Sequence, residues 1–140
     1  MIAYFDTSAF LKLVISEPGS DTVAEAWMGA TSVVAGRLLY PEARAALAAA
    51  HRARRIPVIQ YARLRTRLDD LWADCAVVEV VAVVATAAGD AAEEHRLRGY
   101  DAVHLTSALH VAADVLVCAD GDLLQAARAR GLAVVDARTD

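Results

Sequence analysis

Five short apolar runs recur along the chain, separated by stretches with helical spacing: IAYF at 2–5, SVVA at 32–35, VVEVV at 77–81, VLVCA at 115–119 and LAVV at 132–135. This alternation is the strongest constraint on the fold, because strands joined through helices run parallel and carry helices on both faces of their sheet. After the first run, Phe10, Leu13 and Val14 stand at helical spacing, and Glu17, Pro18 and Gly19 stop that helix. Ser20 or Asp21 can cap a second helix running toward Met28. A long helix is expected from about Leu38 to Arg54; Pro57 interrupts it, and Ile59, Leu64, Leu68, Leu71 and Trp72 carry the next. VATAAGDAAEEHRLRG is helical, with Gly99 suited to the left-handed position past its end. Leu105, Ala108, Leu109 and Ala112 form the stripe of a further helix, and DLLQAARARG forms the last. The expected fold class is α/β: a three-layer α/β/α sandwich with a mainly parallel central sheet, built as one domain over residues 1–140.

Hydrophobic residues make up 57% of the chain and aromatics only 6%, so the core is expected to be Ala, Val and Leu packed closely against a sheet. The most apolar stretch, Cys75 to Gly89, is shorter than the roughly 20 residues of a membrane helix and is interrupted by Glu79. The N-terminus has no basic segment leading into a signal-type apolar core, and a cytoplasmic protein without a membrane span is expected. Cys75 and Cys118 stand far apart without a CxxC pair, a pattern of core residues and neither a disulfide framework nor a zinc site. A net charge of −4 excludes capture of nucleic acid by the surface as a whole and leaves local basic patches as the means of contact.

In open parallel α/β sheets, ligands bind outside the carboxyl ends of the strands, which filters the 18 acidic residues. Asp6 ends the first strand, Asp120 follows the VLVCA strand, Asp101 opens the helix before that strand, and Glu42 sits in the first turns of the helix after the second strand. Each has a structural alternative. Asp6 and Asp101 can cap helices, and Glu42, beside Pro41, can answer the positive end of a helix dipole. Together, however, several acids converging on one edge repel one another, and a partly desolvated set stays ionised only if a cation neutralises it. Oxygen ligands without accompanying His or Cys suit Mg2+, with Mn2+ as the other candidate, and such ions serve phosphate chemistry.

The segments DTSAFLKL, YPEARAAL, GYDAVHLTSAL and LVCADGDLLQAA resemble the four acidic motifs of PIN-domain ribonucleases, and their order and the chain length resemble the VapC toxins of type II toxin-antitoxin systems. The similarity spans Asp6 to Gln125. It implies a PIN-like sandwich and a metal-dependent endoribonuclease in which Asp6, Glu42, Asp101 and Asp120 hold the metal and Ser8 supports the first acid. It also implies a homodimer, an RNA substrate and a VapB-type antitoxin. Many relatives carry Thr or Ser where Cys118 stands, so a hydroxyl contact to the site is expected to be missing. Asp122 is open between a capping box with Gln125 and metal binding.

Basic residues cluster in HRARR at 51–55 and RLRTR at 63–67, with Arg96 and Arg98 just before Asp101, where they can meet RNA phosphates. His104 and His110, six apart, lack the spacing of a two-His metal pair, and with His51 and His95 they read as surface or satisfied polar groups outside the chemistry. Exposed apolar positions on the first helices and on the 58–74 helix are expected to accept an antitoxin or a second subunit. A phosphoacceptor receiver domain would need a Lys at its last strand, and Lys12 is the only Lys; a haloacid-dehalogenase phosphatase would need an Asp where Ser8 stands. The remaining alternative is a catalytically weak or inactive PIN-like domain that acts by binding a partner.

Overall fold

A computed structural model describes residues 1–140. The elements follow in the order β1 (Ile2–Phe5), α1 (Thr7–Val14), α2 (Ser20–Gly29), β2 (Ser32–Gly36), α3 (Leu39–Arg52), α4 (Val58–Ala73), β3 (Ala76–Val78), α5 (Ala82–His95), α6 (Gly99–His110), β4 (Val115–Cys118), α7 (Gly121–Ala129) and β5 (Ala133–Asp136). One sheet contains all five strands in the order β3-β2-β1-β4-β5, and every neighbouring pair is parallel. β1 is its middle strand, with Ala3 opposite Val33 on one side and Val115 on the other.

Side chains alternate across the strands and divide the core in two. Tyr4, Leu116 and Cys118 point into a cluster with Ala88 and Ala91 of α5, Ala102, Leu105 and Ala108 of α6, and Leu123, Leu124 and Ala127 of α7. Ala3, Phe5, Val115 and Val117 face the other way, onto Ala9 and Leu13 of α1 and Val23 of α2. Beside them, Phe10 and Val14 pack with Leu39, Ala43 and Leu47 of α3 and Leu68 of α4. Helices α1 to α4 therefore cover one face and α5 to α7 the other, which is the expected three-layer α/β/α sandwich. No helix is long and apolar enough to cross a membrane.

Four boundaries differ from the sequence expectation for local reasons. α5 ends earlier than Gly99: Arg96 takes the left-handed conformation at φ 55°, and the Leu97 N–H bonds back to the Ala92 carbonyl at 3.1 Å. Gly99 instead begins α6, because Arg98 is extended and its carbonyl accepts from the Ala102 N–H at 3.0 Å. β3 stops at Val78, since Glu79 pairs with Arg37 and Val81 becomes the extended residue before α5. The residue capping α2 is neither Ser20 nor Asp21 but Gly19 at φ 92°; the Ser20 hydroxyl is engaged with the Lys12 carbonyl and the Glu17 N–H.

Gly36, the last residue of β2, lies against the hydroxyl of the fully buried Tyr4, and a Cβ there would stand 2.5 Å from that oxygen. Gly36→Ala is accordingly expected to lower stability by about 1–3 kcal/mol through overpacking. Urea unfolding of Gly36→Ala alone and with Tyr4→Phe tests this: the double variant should recover part of the loss, and an unchanged midpoint in the single variant would contradict the packing described.

Candidate active site

β1 runs on to β2 and β3 on one side of the sheet, while β4 and β5 lie on the other, so the carboxyl ends of β1 and β4 flank a topological switch point. Asp6 leaves β1 there in an extended conformation and caps α1, its Oδ1 accepting from the Ala9 N–H at 2.9 Å. The Ser8 hydroxyl donates to the same carboxylate at 2.8 Å, and the Cys118 thiol donates to Oδ2 at 3.2 Å. Asp6 is only 3% exposed. Burial pushes its carboxyl above the ordinary carboxylate value, against the opposing pull of His104 and these donors.

Glu42 arrives from the first turn of α3. Its Oε1 accepts from the Thr7 hydroxyl at 3.0 Å and from His104 Nε2 at 2.9 Å, and neither contact uses Oε2. Desolvation would raise its pKa, but the hydrogen bond and charge of His104, with Thr7, outweigh that and lower it. Asp101, in the first turn of α6, accepts from Arg98 Nε at 2.9 Å. Asp120 caps α7 by accepting from the Leu123 N–H through Oδ1, and its Oδ2 lies 3.7 Å from Arg98 Nη2. These four acids, with Thr7, Ser8, Leu11, Arg98 and His104, line one cavity of about 220 Å³.

Asp122 lies outside this cavity and does not cap α7, because Asp120 already holds that position; it lines a neighbouring polar cavity with Glu94, His95, Arg96 and Gln125. The contact expected to be lost at Cys118 is made by sulfur. The thiol touches Asp6 and accepts from the Asp120 N–H at 3.1 Å, and burial keeps it protonated. Neither the 51–55 nor the 63–67 basic cluster reaches the cavity.

His104, read from the sequence as a surface or satisfied polar group, is a satisfied buried one, and the sequence did not place it at the site. It is 2% exposed and joins three elements, meeting Tyr4 of β1 at 2.9 Å through Nδ1 and Glu42 of α3 through Nε2, with Thr7 of α1 at 3.2 Å. Its position three residues after Asp101 places both on one helical face, a signal that was available in the sequence; its partner Tyr4, one hundred residues away, was not. Burial alone would depress the imidazolium, yet the Glu42 hydrogen bond and the charges of Asp6, Glu42 and Asp101 raise its pKa.

In the side-chain positions described, no three His, Cys, Asp or Glu residues form a ready-made metal cage. Arg98 engages Asp101 and Asp120, and His104 with Thr7 engages Glu42. The donor set nevertheless fits a hard divalent ion. Four carboxylates share a small cavity, and the most buried of them, Asp6, is hydrogen-bonded only by neutral donors.

Fold and site together define a class: an all-parallel α/β/α domain with an acid cluster at the ends of its two central strands. The sequence pattern of the PIN domain matches residues 3–129. Over 141 aligned positions, covering 99% of this chain and 98% of the relative, the chain is 43% identical to Ribonuclease VapC45 of Mycobacterium tuberculosis, and to the same extent to Ribonuclease VapC49 of another strain of that organism. The chain belongs to the PIN-domain family, on its VapC branch. Its fold is shared with PAE2754 from Pyrobaculum aerophilum, at a TM-score of 0.73, 22% identity and coverage of 99% of this chain and 93% of that one. It is shared as well with the VapBC-1 structure from nontypeable Haemophilus influenzae, at 0.68, 18% identity, 99% and 100%.

Removing the His104 ring leaves the buried Tyr4 hydroxyl without its partner, so His104→Ala is expected to cost about 1–3 kcal/mol in urea unfolding. A folded-state pKa raised above 6.5 also means that the stabilisation from His104 is complete below pH 6.5 and fades as pH rises through the folded value. In EDTA, the wild-type chain should lose stability over that rise and His104→Gln should show a flatter profile. Parallel profiles would contradict the assignment.

Proposed function

We propose that the chain is a divalent-metal-dependent endoribonuclease that hydrolyses RNA phosphodiester bonds as the toxin of a type II toxin-antitoxin pair in the cytoplasm. The observation that carries this reading is the single cavity to which four separate elements each bring one carboxylate, in a chain 43% identical to proteins named ribonucleases over nearly its whole length. Asp6, Glu42, Asp101 and Asp120 would hold one or two ions, Mg2+ first and Mn2+ as the alternative. When bound, such an ion supplies Lewis-acid stabilisation of the phosphate and lowers the pKa of an attacking water.

The chain's own residues then serve geometry. Ser8, Cys118 and the Ala9 N–H hold the Asp6 carboxylate, Thr7 and His104 hold one oxygen of Glu42, and the α7 cap holds one oxygen of Asp120. No Ser, Cys or His at the cavity is free to act as a nucleophile: the Ser8 hydroxyl is bound to Asp6 and the Ala119 N–H, the Cys118 thiol is buried between Asp6 and Asp120, and both His104 nitrogens are engaged by Tyr4 and Glu42. Cleavage is therefore assigned to water, without a covalent enzyme intermediate. A VapB-type antitoxin and a second copy of the chain are the proposed protein partners; solved structures of the same fold include toxin-antitoxin complexes.

RNA cleavage by the purified protein, with Mg2+ or Mn2+ and with EDTA, tests the reading. Wild type should cleave only with metal. Asp6→Asn and Asp101→Asn should each lose more than about 100-fold, the upper range for groups that merely support a metal site. Equal cleavage by all three proteins would remove the site, and no cleavage of any RNA by a folded wild type would favour a domain that works only by binding its partner.

A further inference from the structure

Of the 14 Lys and Arg residues, Arg98 alone lines the acid cavity. Its backbone is fixed as the extended residue that caps α6, with its carbonyl bonded to the Ala102 N–H at 3.0 Å. Its side chain is 80% exposed, whereas those of Asp101 and Asp120 are 16% and 30% exposed. The guanidinium spans two elements, donating through Nε to Asp101 on α6 at 2.9 Å and placing Nη2 3.7 Å from Asp120 at the start of α7. Both contacts use Oδ2 atoms of residues that line the cavity, and Asp120 Oδ2 is the oxygen its helix cap leaves over.

A divalent ion held by Asp101 and Asp120 would compete with Arg98 for Asp120 Oδ2, the oxygen the helix cap leaves over, and would repel the guanidinium. The acids are mostly covered and Asp120 is held by its helix cap, while the Arg98 side chain is exposed and has no partner besides these two acids, so Arg98 is the group that yields. Once released, it presents planar paired donors beside the cavity, the geometry that suits a phosphate. In a chain of net charge −4 with four acids in this cavity, a cation at that point offsets the repulsion of an RNA backbone.

We propose that Arg98 is a placeholder cation: it neutralises Asp101 and Asp120 in the metal-free protein, gives up both acids when a divalent ion binds, and then takes an RNA phosphate adjacent to the scissile one. This rests on the metal-dependent ribonuclease reading and adds a consequence to it. A phosphate that draws Arg98 off the acids strengthens metal binding, and by linkage the metal strengthens RNA binding by the same factor.

Two measurements on the intact protein test the exchange. Titration with Mn2+ alone, read by the electron paramagnetic resonance of the free ion, should show Arg98→Ala binding roughly two- to fivefold more tightly than wild type, the range set by exposed ion pairs. Arg96→Gln, which removes an equal charge nearby, should bind as wild type does, and Asp101→Asn should bind more weakly. With Ca2+ present, Arg98→Ala should hold a fluorescein-labelled single-stranded RNA oligonucleotide several-fold more weakly, and its slope of log affinity against log salt should be shallower by roughly 0.7.

If Arg98→Ala binds Mn2+ no more tightly than wild type, or no more tightly than Arg96→Gln, while Asp101→Asn weakens binding, the placeholder role is overturned and the metal site stands. If wild type and Arg98→Ala both fail to bind Mn2+, or Asp101→Asn has no effect, the metal reading falls with it. An unchanged RNA salt slope overturns the phosphate contact.

Discussion

The structure turns on the carboxylate of Asp6, which is taken out of water at the end of the central strand. A buried carboxylate with no cation in contact is costly to keep ionised, and burial drives its pKa upward. The chain meets that cost with short-range donors: the Ala9 N–H that α1 leaves free, the Ser8 hydroxyl and the Cys118 thiol. Those donors determine much of what surrounds them. α1 must start at Thr7 for Asp6 to cap it, and β4 must end at Cys118 for the thiol to reach across.

A second layer of order lies around Glu42. Tyr4, His104, Thr7 and Glu42 come from β1, α6, α1 and α3, and their hydrogen bonds tie both faces of the sheet to the site. Gly36 allows Tyr4 to take that place, since any side chain there would collide with its hydroxyl. Small residues in α5 and α6 let these helices pack closely on the sheet, so α6 can deliver His104 inward and Asp101 toward the cavity from one short helix. Stability and proposed chemistry therefore use the same residues, and changes to His104 or Tyr4 act on both.

Much of this was legible in the sequence. Strand and helix periodicities identified the order of elements and the three layers, because apolar runs end at polar residues such as Asp6 and Asp120 and Pro57 separates two helices. The placement of the four acids followed from the rule that ligands lie beyond the carboxyl ends of parallel strands. What the sequence did not show depended on contacts distant along the chain or on competition for one backbone group. His104 looks like an isolated polar residue until Tyr4 and Glu42 are folded against it. Gly99 is a plausible helix terminator, yet burial of Leu97 sets the break at Arg96 instead. Asp120 and Asp122 compete to cap α7, and the extended backbone after β4 favours Asp120.

The central claim is that the four acids form one divalent metal site. Diffraction from crystals grown with MnCl2, recorded near the manganese absorption edge, tests it most directly. The account predicts an anomalous peak within the cavity, ligated by oxygens of Asp6, Glu42, Asp101 or Asp120, with Arg98 no longer bridging Asp101 and Asp120. A cavity without such a peak at millimolar Mn2+, or manganese bound only elsewhere on the surface, would contradict it.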